Sequence, residues 1–396
     1  MNRVEIFLGT CRVGEIERFG DQFGPHVFRF DPTYLRLAAR PILGQLFEDR
    51  IPRDIETDGL TPWFEHLLPP SGSPLRRAIA RAAGLDDEDG LALLAWLGEE
   101  LPGAVRVRAP GTSAAYRRGP VQLELDAPPG PFRLSLAGNQ WKLSLARSTD
   151  DHFVLPLTGK GEWIAKFHGS EFPDLARVEH ATMAWAARAG LPVPRNELVP
   201  CDSIADLPNE VPRGNGLAFV IERFDWLPQG RIHVEDFGQI FDKPPGEPQY
   251  AESYEAIGTF VKSECPVDVA SFLERVVFMV LSGNSDAHLK NWAVSYGDGR
   301  TPRLAPCYDL ISTVVYPRIR KKLALKLNQR ADLQFEAVTL ASFDALVRLT
   351  SVDSGSARAQ IETFSTRVRE AFNEIRSLFS TEEQSTIEKH LASVKL

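Results

Sequence analysis

Hydrophobic and polar positions alternate over residues 1–30, with glycine turns between the runs, which predicts a small antiparallel sheet. From Pro32 the period lengthens to that of helices. Residues 62–84 give short helical pieces broken by Pro69, Pro70 and Pro74, and residues 91–96 one buried helix. Periodicity fades over 101–120, among Pro102, Gly103, Pro110, Gly111 and Gly119, as at a boundary or long connection. Strands resume at FRLSLAG (132–138), at WKLSLAR (141–147, with Leu143 and Leu145 alternating) and at EWIAKF (162–167). A helix follows, with Asp174 as its predicted N-cap and Gly190 and Pro192 as its stop. GLAFVIERF (216–224) is one more strand. Val269, Phe272, Leu273, Val276, Val277 and Val280 then form a single apolar helical stripe. Two short strands, NWAVSYG and RLAPCYD, interrupt the helices. Ile361, Phe364, Val368, Phe372, Ile375 and Phe379 share one face of a long closing helix.

A length of 396 residues suits two to three packed units. The pattern divides them at 1–110, 111–225 and 226–396. Lys and Arg number 45 against 53 Asp and Glu, a net charge of −8. A net anion is a poor non-specific binder of nucleic acid or of an anionic membrane, so any DNA role needs a basic patch or partner. Cys11, Cys201, Cys265 and Cys307 form no CxxC pair, against a zinc site or disulfide framework and in favour of a reducing cytoplasm. The N-terminus lacks the apolar core of a signal peptide. The most apolar run, 269–281, is short and carries Glu274 and Arg275, so no membrane span is expected.

The chemistry concentrates in GNSDAHLKNWAVSYGDGRTPRLAPCYDLIS, directly after the apolar helix. Asp286 and Asn291 have the D-x-x-x-x-N spacing that protein kinases use to set a carboxylate by the acceptor hydroxyl and an amide oxygen on Mg²⁺. Asp309 follows Asn291 by 18 residues, after two strand-like pieces, which suits a hairpin returning a second carboxylate to one metal. Mg²⁺ takes hard oxygens and few protein ligands. A lone Asp in such a turn commonly just caps it, but a set of polar groups packed by an apolar helix is costly without a purpose. His288 reads first as a structural hydrogen-bonding residue. Lys290 meets either a phosphate or solvent. In SLAGNQWKLSL, Gly138 permits a tight turn whose N–H groups can face phosphate, though a plain hairpin explains one glycine equally well. In WIAKFHG, Ile164 and Lys166 share a strand face. Lys166 either meets phosphate, with Glu179 of the next helix as ion-pair partner, or snorkels to water from an edge strand. Strands, one helix, a linking strand and then helices make the outline of a two-lobed kinase.

These segments resemble the HipA toxin kinases of bacterial type II toxin–antitoxin systems. The resemblance runs from GTCRVGEIER, FEHLLPPSGSPLRRAIAR and LLAWLGEELPGAVRV through SLAGNQWK, IAKF, IERFD, SDAHLKNWAV and CYDL to LALKLN, almost the whole chain. It implies an α+β, bilobal, protein-kinase-like fold with an N-terminal mixed subdomain and a mainly helical C-terminal lobe. It also implies an ATP- and Mg²⁺-dependent serine/threonine kinase. Asp286 then stands as general base, with Asn291 and Asp309 as Mg²⁺ ligands. Lys166 stands on phosphate and Ala137, Gly138, Asn139, Gln140, Trp141 and Lys142 in the loop over ATP. Glu222, Arg223 and Phe224 fall at the hinge beside adenine, and His288, Lys290 and Tyr308 complete the nucleotide contacts. Ser135 matches the family's inhibitory autophosphorylation site. Trp141 departs from the smaller or acidic residue usual there.

The resemblance further implies a cytoplasmic protein substrate, an aminoacyl-tRNA synthetase in this family, whose modification blocks translation. It implies a small helix-turn-helix antitoxin that supplies most of the affinity for operator DNA. Two other classes stay open on residues alone: a small-molecule or lipid kinase, and a kinase-like module that only binds an antitoxin. The intact set of Lys166, Asp286, Asn291 and Asp309 weighs against the second.

Overall fold

The computed structural model describes residues 2–110, 141–155, 161–168, 172, 174–208, 211–227, 230–350 and 353–396. They group into two compact units, each discontinuous in sequence: 1–169 with 199–246 and 295–300, and 170–198 with 247–294 and 301–396. The linear division expected from the pattern is therefore crossed in three places. Residues 174–198 fall in the helical unit, and 226–246 and 295–300 in the strand-rich one.

The first unit opens with β1 (Arg3–Leu8), β2 (Cys11–Arg18), β3 (His26–Phe30) and β4 (Ile55–Thr57), joined by β5 (Val105–Arg108), in the sheet order β4-β3-β2-β1-β5. Val4, Ile6 and Leu8 alternate into the core, as period-two patterning requires. At Gly14 a side chain would meet the Arg29 carbonyl oxygen at 2.2 Å, so the β2–β3 approach needs glycine. β5 lies inside the stretch expected to be a connection. Its V-R-V-R alternation is brief, but Ile6 pairs with Val107 and the strand returns to close the sheet. Phe28, Phe47, Trp63 and Phe64 fill the core, with successive ring centroids 4.9–5.1 Å apart. The helices α1 (Pro74–Ala83), capped by Ser73, and α2 (Gly90–Leu97), capped by Asp89, follow the proline-broken segment.

A second, five-stranded sheet holds β6 (Trp141–Arg147), β7 (Phe153–Val154), β8 (Trp163–Phe167) and β9 (Leu217–Glu222), ordered β7-β6-β8-β9, with the strand Asn196–Pro200 at the edge beyond β9. β6 and β8 match their expected spans to within a residue. The strand expected over 132–138 lies outside the described residues.

The second unit is helical: α3 (Leu175–Arg188), α4 (Tyr254–Glu264), α5 (Val269–Ser282), α6 (Ser354–Ile375) and α7 (Thr381–Ser393). Trp185 of α3 fixes its core. Its ring lies 5.5 Å from Phe278 and 4.9 Å from Phe372, and its indole N–H donates to the Val368 carbonyl at 2.8 Å. Asp174 does occupy the N-cap position of α3. Its backbone is left-handed (φ 59°), however, and its carboxylate pairs with Arg177 at 3.1 Å instead of capping the helix. The chain does not close on one long helix. After Ile375 a short 3-10 turn breaks it, Phe379 lies beyond the break, and α7 begins at a capping box of Ser380 and Glu383. Of RLAPCYD only Arg303–Leu304 is a strand.

Candidate active site

The segment carrying Asp286 and Asn291 hangs from the end of α5. Ten of the fourteen side chains of α5 are buried, so the helix is a fixed post in the core. Gly283 stops it in the left-handed conformation (φ +65°), where a Cβ would meet Val314 at 2.3 Å. The loop after it is tied down by side chains. Thr313 Oγ1 donates to the Gly283 carbonyl (2.8 Å) and accepts from the Ser285 N–H (2.8 Å). Ser312 Oγ donates to the Ser282 carbonyl (2.7 Å), and Ser285 Oγ to the Arg320 carbonyl (2.7 Å). Buried Asn284 accepts the Asp286 N–H at 2.9 Å.

Asp286 is thereby fixed through its backbone. Its carbonyl accepts from the Asn291 side-chain amide at 2.6 Å and from the His288 N–H at 2.9 Å. The D-x-x-x-x-N spacing is thus a closed loop, with the Asn291 side chain bonded to the Asp286 backbone. The Asn291 nitrogen makes this bond, which leaves its oxygen as the atom that could take a metal. The Asp286 carboxylate accepts from the Tyr250 hydroxyl at 2.9 Å and lies 3.8 Å from His288 Nε2, and its side chain is half exposed. Tyr250 carries no motif that patterning can detect. It ends a 3-10 turn (Glu247–Tyr250) in a proline- and glycine-rich stretch.

Tyr308 donates its hydroxyl to the Lys290 carbonyl at 2.9 Å, strapping the segment carrying Asp309 to the loop of Asp286 and Asn291. Asp309 itself is half-buried and left-handed (φ 53°). The Ala305 N–H donates to the Ala293 carbonyl (2.9 Å), so the chain does return past the loop as a hairpin would. Among the described residues no three His, Cys, Asp or Glu side chains converge as a metal centre. The Asn291 amide oxygen and the Asp309 carboxylate are hard oxygen donors, the kind Mg²⁺ takes sparingly from protein.

In the first unit, β6 and β8 pair so that Lys142 stands directly opposite Lys166. Opposite residues of antiparallel strands share a face. Both lysines are buried, at 8% and 5% exposure, so Lys166 is not an edge lysine reaching for water. On its other side Lys166 is in register with Phe219, whose ring centre lies 5.4 Å from Nζ. Two lysines side by side on one sheet face are residues able to meet a polyanionic ligand such as a triphosphate. Trp141 is half-buried at the start of β6, opposite Phe167. Glu179 is buried on α3 in the second unit. Ser135, Ala137, Gly138, Asn139 and Gln140 lie outside the described residues.

Glu222 is exposed at the end of β9 and Phe224 half-buried. Arg223 is buried, and its guanidinium is taken by Asp225 through bonds of 2.9 and 2.6 Å. Burial alone would push the Asp225 carboxyl up, yet the Arg223 guanidinium beside it holds it below the usual range. Asp225 also accepts the Gly103 N–H at 2.9 Å. The Arg223 side chain therefore shapes the turn after β9 through its pairing with Asp225.

Residues 4–108 match the HipA N-terminal domain and residues 134–377 the HipA-like C-terminal domain. "Putative kinase Y4dM" of Sinorhizobium fredii is 33% identical over 95% of this chain and 93% of its own length. The serine/threonine-protein kinase toxin HipA of Shewanella oneidensis is 25% identical over 83% of this chain and 79% of its own. A solved complex of Shewanella oneidensis HipA with HipB and operator DNA superposes with a TM-score of 0.71 at 19% identity, covering 98% of this chain and 95% of that one, so the α+β HipA-like fold is shared. With the C-terminal profile covering more than half of the chain and a relative aligned along nearly all of it, the chain belongs to the HipA family.

Proposed function

We propose that this chain is an ATP-dependent protein serine/threonine kinase acting as the toxin of a HipBA-like module. The observation that carries the reading is the catalytic loop. Asp286 has its backbone locked by Asn284, His288 and Asn291, while its carboxylate stays half exposed for an acceptor hydroxyl. That is the arrangement of a positioned general base. In the reaction the acceptor oxygen bonds to the γ-phosphorus, the bond from that phosphorus to the β–γ bridging oxygen breaks, and ADP leaves. The hydroxyl proton goes to Asp286. Lys142 and Lys166 are the residues assigned to phosphate, and Asn291 and Asp309 would hold Mg²⁺, which when bound supplies charge neutralisation at the phosphates.

The cellular part of the proposal follows from the family. The substrate is a cytoplasmic protein, of the aminoacyl-tRNA synthetase type, and its modification arrests translation. A helix-turn-helix antitoxin binds the chain and brings the operator DNA, consistent with a net charge of −8 that gives the chain little DNA affinity of its own. No described helix is long and apolar enough to cross a membrane. Ser135 is the proposed autophosphorylation site, where about −1.5 to −2 added charges would oppose ATP.

The test is incubation of the full chain with Mg²⁺·ATP and each purified bacterial synthetase, read by intact mass. One phosphate on one synthetase, and on Ser135 of the chain itself, is expected with wild type and not with Asp286→Asn. No transfer to any synthetase would remove the substrate class. A failure to consume ATP at all would remove the kinase reading.

A further inference from the structure

We infer that Tyr250 is a positioning residue for phosphoryl transfer, holding one oxygen of the Asp286 carboxylate so that the other faces the acceptor. The inference rests on the assignment of Asp286 as general base. Its starting point is what the loop leaves undone. The backbone of Asp286 is tied at both ends, to Asn284 and to Asn291. Those bonds fix the Cα but not the carboxylate, which still turns about the Cβ–Cγ bond. A base that turns freely presents its lone pair to the acceptor for only part of the time, and orientation is a large share of what such sites contribute.

The Tyr250 hydroxyl removes that freedom. It donates to Asp286 Oδ1 at 2.9 Å, the same oxygen that His288 Nε2 approaches at 3.8 Å. Both neighbours meet Oδ1, and the side chain remains half exposed, so Oδ2 is the oxygen open to an acceptor. Tyr250 is itself held. Its ring stands edge-on to His288, with centroids 4.8 Å apart at 78°. The residue therefore sits as a fixed wall of the loop and not as a mobile hydroxyl. Burial first, and then the Asp286 carboxylate, raise its pKa well above the ordinary tyrosine value, so it remains a donor wherever the enzyme works.

The geometry also admits the opposite role, a hydroxyl that fills the acceptor's seat and must be displaced. The two predict opposite signs. Full-length wild type, Tyr250→Phe, Asp286→Asn and the double variant are compared by single-turnover loss of the γ-phosphate from Mg²⁺·ATP, with KM for ATP measured alongside. Phenylalanine keeps the ring against His288, so the ligand-free melting temperature is expected to stay. Tyr250→Phe should lower the rate about tenfold, the scale of one hydrogen bond to a charged group, with KM for ATP unchanged. In the Asp286→Asn background it should cost nothing further, because the carboxylate it orients is gone. A faster or unchanged Tyr250→Phe overturns the inference, as does a tenfold loss that persists in Asp286→Asn. Full activity of Asp286→Asn itself would instead sink the base assignment beneath it.

Discussion

Asp286→Asn retains the shape and the backbone bonds of the loop but cannot take the acceptor's proton. Transfer should fall by about 10²–10⁴-fold, with the ligand-free melting temperature unchanged, measured by phosphate incorporation and calorimetry. Asp309→Asn should act differently, by weakening Mg²⁺-dependent ATP binding, since a charged ligand becomes neutral; titration of ATP with and without Mg²⁺ separates the two. Lys166 stands buried between Lys142 and Phe219 on neighbouring strands. A nucleotide that binds the native state raises stability by RT ln(1 + [L]/Kd), so Lys166→Met should shrink the ATP-induced melting shift. An unchanged shift would return Lys166 to a purely structural role. These residues stand out in the sequence because D-x-x-x-x-N and a strand lysine are short-range patterns. Arg223 was legible by position only: its side chain went to Asp225, a neighbour two residues on that no periodicity singles out.

At the scale of elements, α5 places the loop and Gly283 aims it. A methyl group there meets Val314 at 2.3 Å and a left-handed backbone at the same time. Gly283→Ala should destabilise the second unit by about 1–3 kcal/mol and reduce transfer as well, read by denaturant unfolding and turnover on one sample. Loss of activity at full stability would mean the glycine acts on the chemistry alone. The apolar stripe of α5 was plain in the sequence because one face of the helix repeats every three to four residues over its whole length. The break between α6 and α7 was not, since Phe372 and Phe379 keep the helical spacing across it. The S-x-x-E signature of Ser380 and Glu383 was the available signal.

At the scale of the first unit, Glu235 is fully buried and joins segments far apart in sequence. It accepts from Trp63 Nε1 (2.7 Å), the Tyr296 hydroxyl (2.8 Å) and the Gln45 N–H (3.1 Å). Burial pushes its carboxyl up to about 7 against those donors. His233, stacked on Tyr296 and donating to or accepting nothing charged, is pushed by burial down to about 4 and stays neutral above that pH. A carboxyl raised on folding binds more protons in the native state than in the unfolded one. Its contribution is complete below the unfolded value, near 4.5, and is lost as pH rises through about 7. Stability should therefore decline between those limits by up to about 3 kcal/mol from this group, and Glu235→Gln should flatten the decline. Urea melts at intervals across that range check it; equal slopes for both proteins would show that Glu235 titrates normally.

Taken alone, the sequence determined the strands at 141–147 and 163–167, the stripe of α5, the loop bearing Asp286 and Asn291, and through them the family. Each depends on interactions within a few residues, where side-chain period and turn chemistry are written directly into the order of the chain. Tertiary structure alone decided that Val105–Arg108 closes the first sheet, that Lys142 faces Lys166, and that Tyr250 reaches Asp286 from 36 residues away. Those depend on strand register and on the packing of distant segments. Such contacts form only when burial of the whole core outweighs the entropy of bringing the segments together, and no local pattern records that balance.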